Sequence, residues 1–205
     1  MNISGEIAAQ NVSYEDFLRD FDSEHVEWID GVVIRMSPIT SEHNAITIFL
    51  ILLFKNLLAL TGGGEVYTDP MIMRLETSRR GRAPDIQVLL PHKLHLIRKN
   101  EIAGAADLAV EVVSEDSQRR DRVEKFTEYE RGGVPEYWIL DPLRKESLFN
   151  ILGASGLYEL RPPDENGIYT SVTLPRLKLP ADIFWRQPLP DAVETFRMAE
   201  AMLRD

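Results

Sequence analysis

Two acidic side chains stand where their neighbours are apolar. Glu111 interrupts the run Leu108-Ala109-Val110-Glu111-Val112-Val113, and Asp85 follows Pro84 at the head of Ile86-Gln87-Val88-Leu89-Leu90. A lone carboxylate is expensive to bury unless it is paired or binds a cation. Two carboxylates brought together from adjacent strands make a hard oxygen site suited to Mg²⁺ or Mn²⁺. An ion held there would polarise a phosphate and lower the pKa of a bound water. A nearby ammonium would orient that water or stabilise the transition state, and Lys125 is the candidate. On a helix, Asp121, Lys125 and Tyr129 fall at about 0°, 40° and 80° around the axis. Val123 and Phe126 point the other way, which leaves one polar face and one packed face. Asp107 lies four residues before Glu111 and shares its strand face. This is the layout of metal-dependent phosphodiester hydrolysis. The same residues also admit a purely structural arrangement, with Asp85 as a turn or cap residue, Glu111 ion-paired to Lys125 or Arg122, and Tyr129 as packing.

Such residues need elements to hold them. Ser13 ahead of Tyr14-Glu15-Asp16-Phe17-Leu18 caps a short helix. Asp30-Gly31 between two runs of β-formers marks a hairpin, because the turn needs positive φ. Residues 41–60 read as a helix with a narrow polar stripe at Asn44, Thr47 and Lys55. A helix so apolar is buried on most sides, in the core or in a contact between two copies. Gly62-Gly63-Gly64 terminates it and lacks the lysine and hydroxyl residue of a phosphate loop. Strands are expected over 65–68, 71–75, 84–90, 106–113 and 136–140, and a helix over 117–131 closed by Gly132-Gly133. A late antiparallel set follows over 146–151, 157–160 and 168–172, and then a short helical turn over 179–185. The expected organisation is one α+β domain over residues 1–190 with a peripheral tail over 191–205.

Composition narrows the chemistry. The 205 residues carry 33 acidic and 23 basic side chains, a formal net charge of −10. Such a chain is a poor passive binder of phosphate backbone, although a nuclease with local basic residues remains compatible. Cysteine is absent, which excludes disulfides, zinc-thiolate and iron-sulfur sites and a thiol nucleophile. A reducing, cytoplasmic home is expected. Residues 1–11 carry no signal-peptide pattern. The longest unbroken apolar run, 48–54, is seven residues, against the roughly 20 of a membrane span, so a soluble protein with no membrane partner is expected. The best basic patch is Arg79-Arg80-Gly81-Arg82, just before Pro84-Asp85, with Arg119, Arg120 and Arg122 able to add to it. It reads either as a guide for a phosphate backbone or as a solvated loop. His25, His92 and His95 show no zinc-ligand spacing, and Tyr137 and Trp138 read as core or interface aromatics.

Several ordered blocks resemble the Uma-two family of restriction-endonuclease-like proteins. They are Glu27-Trp28-Ile29-Asp30-Gly31, Met36-Ser37-Pro38, His43, Pro84-Asp85, the 107–114 run with Glu111, Arg120-Asp121 to Lys125, Tyr129, the 133–138 run and Asp141-Pro142. The resemblance spans about residues 13–184. It implies the PD-(D/E)xK nuclease fold, an α+β core with a central mixed sheet flanked by helices. It also implies a DNA endonuclease dependent on Mg²⁺ or Mn²⁺ that leaves a 5′-phosphate. By position, Asp85 looks like the metal-binding aspartate and Glu111 like the acid of the second element. The lysine expected two residues on is replaced by Val113, and Lys125 on the following helix is its candidate substitute. Glu27 matches the acidic residue contributed near the first helix, with Glu42 and His43 as weaker alternatives, and Asp121 would hold Lys125 at the i,i+4 distance. Ser114-Glu115 stands where the family has serine-proline. A homodimer would place two symmetric sites on a duplex. Two rivals remain: a non-catalytic module of the same fold serving interaction or structure, and a phosphodiesterase acting on RNA or small nucleotides.

Overall fold

The computed structural model describes residues 6–21, 24–35, 39–75, 80–114, 120–174 and 176–204, with Arg120 described in its backbone alone. The chain begins with β1 (Glu6–Gln10), α1 (Tyr14–Asp20), β2 (Val26–Ile29), β3 (Val32–Arg35) and α2 (Ser41–Thr61). Then come β4 (Glu65–Thr68), β5 (Ile72–Leu75), β6 (Arg80–Arg82), β7 (Ile86–Leu89), β8 (Glu101–Ile102) and β9 (Leu108–Val112). A π-helical turn (Arg120–Lys125) runs into α3 (Phe126–Gly132), followed by β10 (Glu136–Asp141), β11 (Glu146–Leu152) and β12 (Tyr158–Leu160). The chain closes with β13 (Ile168–Thr170), β14 (Lys178–Pro180) and α4 (Ala192–Ala201).

The central sheet has the order β12-β11-β10-β9-β7-β4 and is mixed, because β9 and β10 run parallel while their neighbours run antiparallel. Its period-two alternation sorts the interior into two layers. Val88, Val110, Val112, Trp138 and Phe149 pack on one face with α2, and Leu89, Ala109, Tyr137 and Ile139 pack on the other with β5 and α3. A second sheet, β1-β3-β2-β6-β5-β8, carries the amino-terminal hairpin. The turn of that hairpin has φ of 48° at Asp30 and 87° at Gly31, the left-handed pair that a two-residue turn of this type demands.

Thr40 caps α2 by accepting the His43 amide, and Gly62, at φ 116°, closes it. By length and composition α2 could cross a bilayer. Here Ile46, Phe49, Leu50, Leu53, Phe54, Leu57 and Leu58 are buried against the central sheet, while Ile48 and Leu60 are exposed. Burial on most sides is therefore corrected to burial of one face.

The carboxy-terminal residues are not peripheral. Asp191 caps α4, and Ala199 and Met202 enter the same core as α2. The late strands also differ from expectation. β13 pairs with β14 in a separate hairpin, so residues 178–180 form a strand and only 183–185 a helical turn. Glu136 ties this region to the sheet. Its buried carboxylate accepts from Trp138 Nε1 and Tyr169 Oη on one oxygen, and from Ser171 Oγ, the Val172 amide, and the Thr173 amide and hydroxyl on the other. Of the helix expected over 117–131, residues 115–119 lie outside those described, and the rest starts as a π-helical turn.

Candidate active site

Sheet register brings the acids together. In the antiparallel ladder of β7 and β9, Val88 faces Leu108 and Ile86 faces Val110, so the next pair along is Asp85 and Glu111. Residues opposite one another in a ladder lie about 4.5–5.5 Å apart and project to the same face. For Glu111 this is the face of Ala109 and Val113, under α3. Asp85 Oδ2 accepts the Val112 amide at 2.6 Å, which anchors the carboxylate to the neighbouring strand.

Lys125 reaches this face from the π-helical turn. Its Nζ lies 2.9 Å from Glu111 Oε1, 3.1 Å from Glu27 Oε1 and 3.5 Å from Asp121 Oδ1. The contact with Glu111 is a hydrogen bond and those with Glu27 and Asp121 are ion pairs, so the ammonium serves as a fixed charge. Tyr129 donates to Glu111 Oε1 at 2.8 Å, and Tyr137 donates to the Asp121 carbonyl at 2.9 Å, which ties the π-helical turn to the sheet. Burial pushes the Glu111 carboxyl well above the ordinary glutamate range. Lys125 opposes that rise, and the nearby charges of Asp85 and Asp121 reinforce it. Burial likewise pushes the Tyr129 phenol up, with Glu111 adding to it.

The described arginines of the basic patch, Arg80, Arg82 and Arg122, pair with acids of the chain. Arg82 is fully buried. It donates from Nη1 to Glu27 at 2.6 Å, and from Nε and Nη2 to Glu128 at 2.7 and 2.8 Å. Burial pulls its pKa down, but Glu27 and Glu128 outweigh that and hold it well above the ordinary value. Arg80 pairs with Glu128 and Asp30. Arg122 pairs with Asp141 at 2.8 Å and Glu146 at 2.6 Å. These arginines therefore neutralise carboxylates of the chain itself. Arg79, Arg119 and the Arg120 side chain lie outside the described residues.

Glu42 is exposed on the first turn of α2 and is not brought to the carboxylates by any described contact. His43, next to it, is buried, and its Nε2 lies 3.0 Å from Asp85 Oδ2. The alignment is not that of a hydrogen bond, and neither ring nitrogen has a hydrogen-bond partner among the described residues. Asp107 shares the face of Glu111 but has a structural task. It accepts the Leu90 amide at 2.7 Å and pairs with Lys93 at 3.1 Å. Sequence reasoning missed Glu128, whose only signal was its position one helical turn from Lys125. It also missed Asp69, the residue after β4, which precedes Pro70.

The donor set suits a hard divalent ion. Both contacts to Asp85 described above fall on Oδ2, and both hydrogen bonds to Glu111 fall on Oε1. Each carboxylate therefore has a second oxygen outside those contacts, and beside Asp85 stands the buried His43, whose ring nitrogens lack hydrogen bonds among the described residues. No three His, Asp or Glu side chains form a ready metal cage among the described residues.

A mixed sheet with helices on both faces and paired carboxylates across two strands defines a restriction-endonuclease-like α+β protein. The Uma2 family, described as "Putative restriction endonuclease", matches residues 12–182. The chain belongs to this family, and by family and fold it is a nuclease-superfamily protein. It is similar to a solved structure of a putative nuclease belonging to DUF820 from Anabaena variabilis. The two are 16% identical with a TM-score of 0.63, over 78% of this chain and 91% of that one. At that identity the likeness bears on the fold alone. No curated protein matches the chain in sequence.

Proposed function

We propose that the protein is a DNA endonuclease dependent on Mg²⁺ or Mn²⁺. The observation that carries this reading is the ladder that sets Asp85 and Glu111 side by side on one face, with a buried Lys125 on Glu111. Asp85 and Glu111 would hold the ion. When bound, it supplies Lewis acidity to a phosphate oxygen and makes a water more acidic. The chain's own residues do the positioning. Val112 holds Asp85 through its amide, Tyr129 and Lys125 hold Glu111, and Arg82 holds Glu27 against Lys125. Lys125 offsets the charge of Glu111, Glu27 and Asp121 and fixes their carboxylates in place. Attack of water on phosphorus breaks the P–O3′ bond. The 3′ oxygen leaves with a proton and the other product keeps a 5′-phosphate.

Plasmid nicking by the wild-type chain and Asp85→Ala in Mn²⁺, Mg²⁺ and EDTA tests the proposal. Cutting is expected only with metal and only by the wild type. Equal cutting by both proteins places the chemistry elsewhere. Absence of cutting in every metal favours a non-catalytic module of the same fold.

A further inference from the structure

The row of acids extends one strand beyond the proposed metal pair. In the β4–β7 ladder Thr68 faces Ile86, so the next pair along is Asp69 and Asp85. Asp69, Asp85 and Glu111 therefore occupy one row across three strands. Asp69 is not bare. His25, on the bend before β2, forms an ion pair through Nε2 with Asp69 Oδ2. The His25 side chain is 41% exposed, so the ring is within reach of a ligand from solvent. A groove of about 350 Å³ opens beside Asp69, lined by Glu24, Thr68, Asp69 and Lys99 and by apolar side chains such as Phe17 and Phe21. It leaves room beside Asp69 for a chain-like molecule to continue.

A phosphodiester approaching Asp85 and Glu111 meets carboxylates, while Arg80, Arg82, Arg122 and Lys125 are each committed to acids of the chain. We propose that His25, oriented by Asp69, is a substrate-contacting residue of the site that donates from Nδ1 to a non-bridging oxygen of the phosphodiester. This rests on the nuclease reading above and deepens it by naming a phosphate contact. With Nε2–H on the Asp69 carboxylate, Nδ1 carries a proton only when the ring is cationic. The groups facing His25 favour that state. The hydrogen bond that His25 donates to Asp69 raises its pKa above the ordinary histidine value, partial burial opposes the rise, and the charges of Asp69, Asp85 and Glu27 add to it. Asp69 is a positioning residue: it holds the ring and sustains its charge.

The test measures binding and cutting side by side. A labelled double-stranded oligonucleotide is titrated in Ca²⁺ with wild type, His25→Gln, His25→Lys and Asp69→Asn, and plasmid nicking is followed in Mn²⁺. Thermal melts check that each variant is folded. Wild-type affinity is expected to fall as pH rises from about 6 to 8, as the imidazolium loses its proton. His25→Gln is expected to bind at least about tenfold more weakly with no such pH response. His25→Lys keeps a charge through this range, so it binds tightly and independently of pH. Asp69→Asn moves the fall to lower pH.

Wild-type affinity and cutting retained in folded His25→Gln overturn the inference and leave the nuclease reading intact. An unaltered pH response in Asp69→Asn overturns the pairing. Binding that depends on His25 without cutting in any metal upholds the inference and removes the hydrolase reading. A wild type that neither binds nor cuts removes both.

Discussion

Replacing Arg82 by methionine separates the two roles open to this arginine. As a phosphate guide on a solvated loop it would be dispensable for stability. In the structure it is fully buried and forms a fork, with one nitrogen on Glu27 at 2.6 Å and two on Glu128 at 2.7 and 2.8 Å. Both acids are buried as well. Methionine keeps much of the volume and removes the charge that the two carboxylates share, leaving Glu27 with Lys125 and Glu128 with Arg80. Breaking a buried ion pair by removing one partner costs about 3–5 kcal/mol, because the remaining charge has lost its compensation. For a chain of this size each kcal/mol shifts Tm by about 2–4 °C, so a fall of about 6–20 °C is expected. Scanning calorimetry in EDTA measures it without interference from metal. Adding Glu128→Gln to Arg82→Met removes one of the two charges that lost this partner. The double variant should be less destabilised than the sum of the singles by more than about 1 kcal/mol. A Tm for Arg82→Met within about 2 °C of wild type, or strict additivity of the pair, refutes the buried network and returns Arg82 to the surface.

Two further outcomes follow from buried carboxylates with opposite surroundings. The folded-state pKa of Glu111 lies above the ordinary 4.5, so its contribution to stability is full below that value and declines as pH rises towards the folded-state pKa. In EDTA, the stability of Glu111→Gln relative to wild type should therefore climb with pH above 4.5. The slope is at most about 1.4 kcal/mol per pH unit, and melts that show a flat or falling difference contradict it. Glu136 instead accepts from six donors. Glu136→Gln puts an amide nitrogen against some of them. It should cost about 3 kcal/mol or more, with hydrogen exchange rising first at the amides of Val172 and Thr173; unchanged exchange there would count against the anchor.

Much of the local structure was legible because its causes lie within a few residues. Asp30-Gly31 makes its hairpin since both positions take positive φ. Thr40 and Gly62 cap α2 through bonds to its own first and last turns. The acid of an apolar strand and the lysine and tyrosine spaced along a helix announced Glu111, Lys125 and Tyr129. The type of each residue carried that information, and the i,i+4 spacing of Asp121 and Lys125 was enough to pair them.

What local spacing cannot carry is which strands become neighbours, and in what register. Strand pairing draws on residues far apart in sequence, and a shift of one residue turns every side chain to the other face. The alignment of Asp69, Asp85 and Glu111 in one row exists only because β4, β7 and β9 pair as they do. The burial of Arg82 is of the same kind. Nothing in Arg79-Arg80-Gly81-Arg82 distinguishes a solvated loop from a strand, and the acids that claim its charge lie 55 and 46 residues away. The chain alone determined which groups were available for metal and phosphate chemistry. The tertiary structure decided which of them face one another, because desolvation makes every buried charge find a partner and only the packed sheet says which partner is in reach.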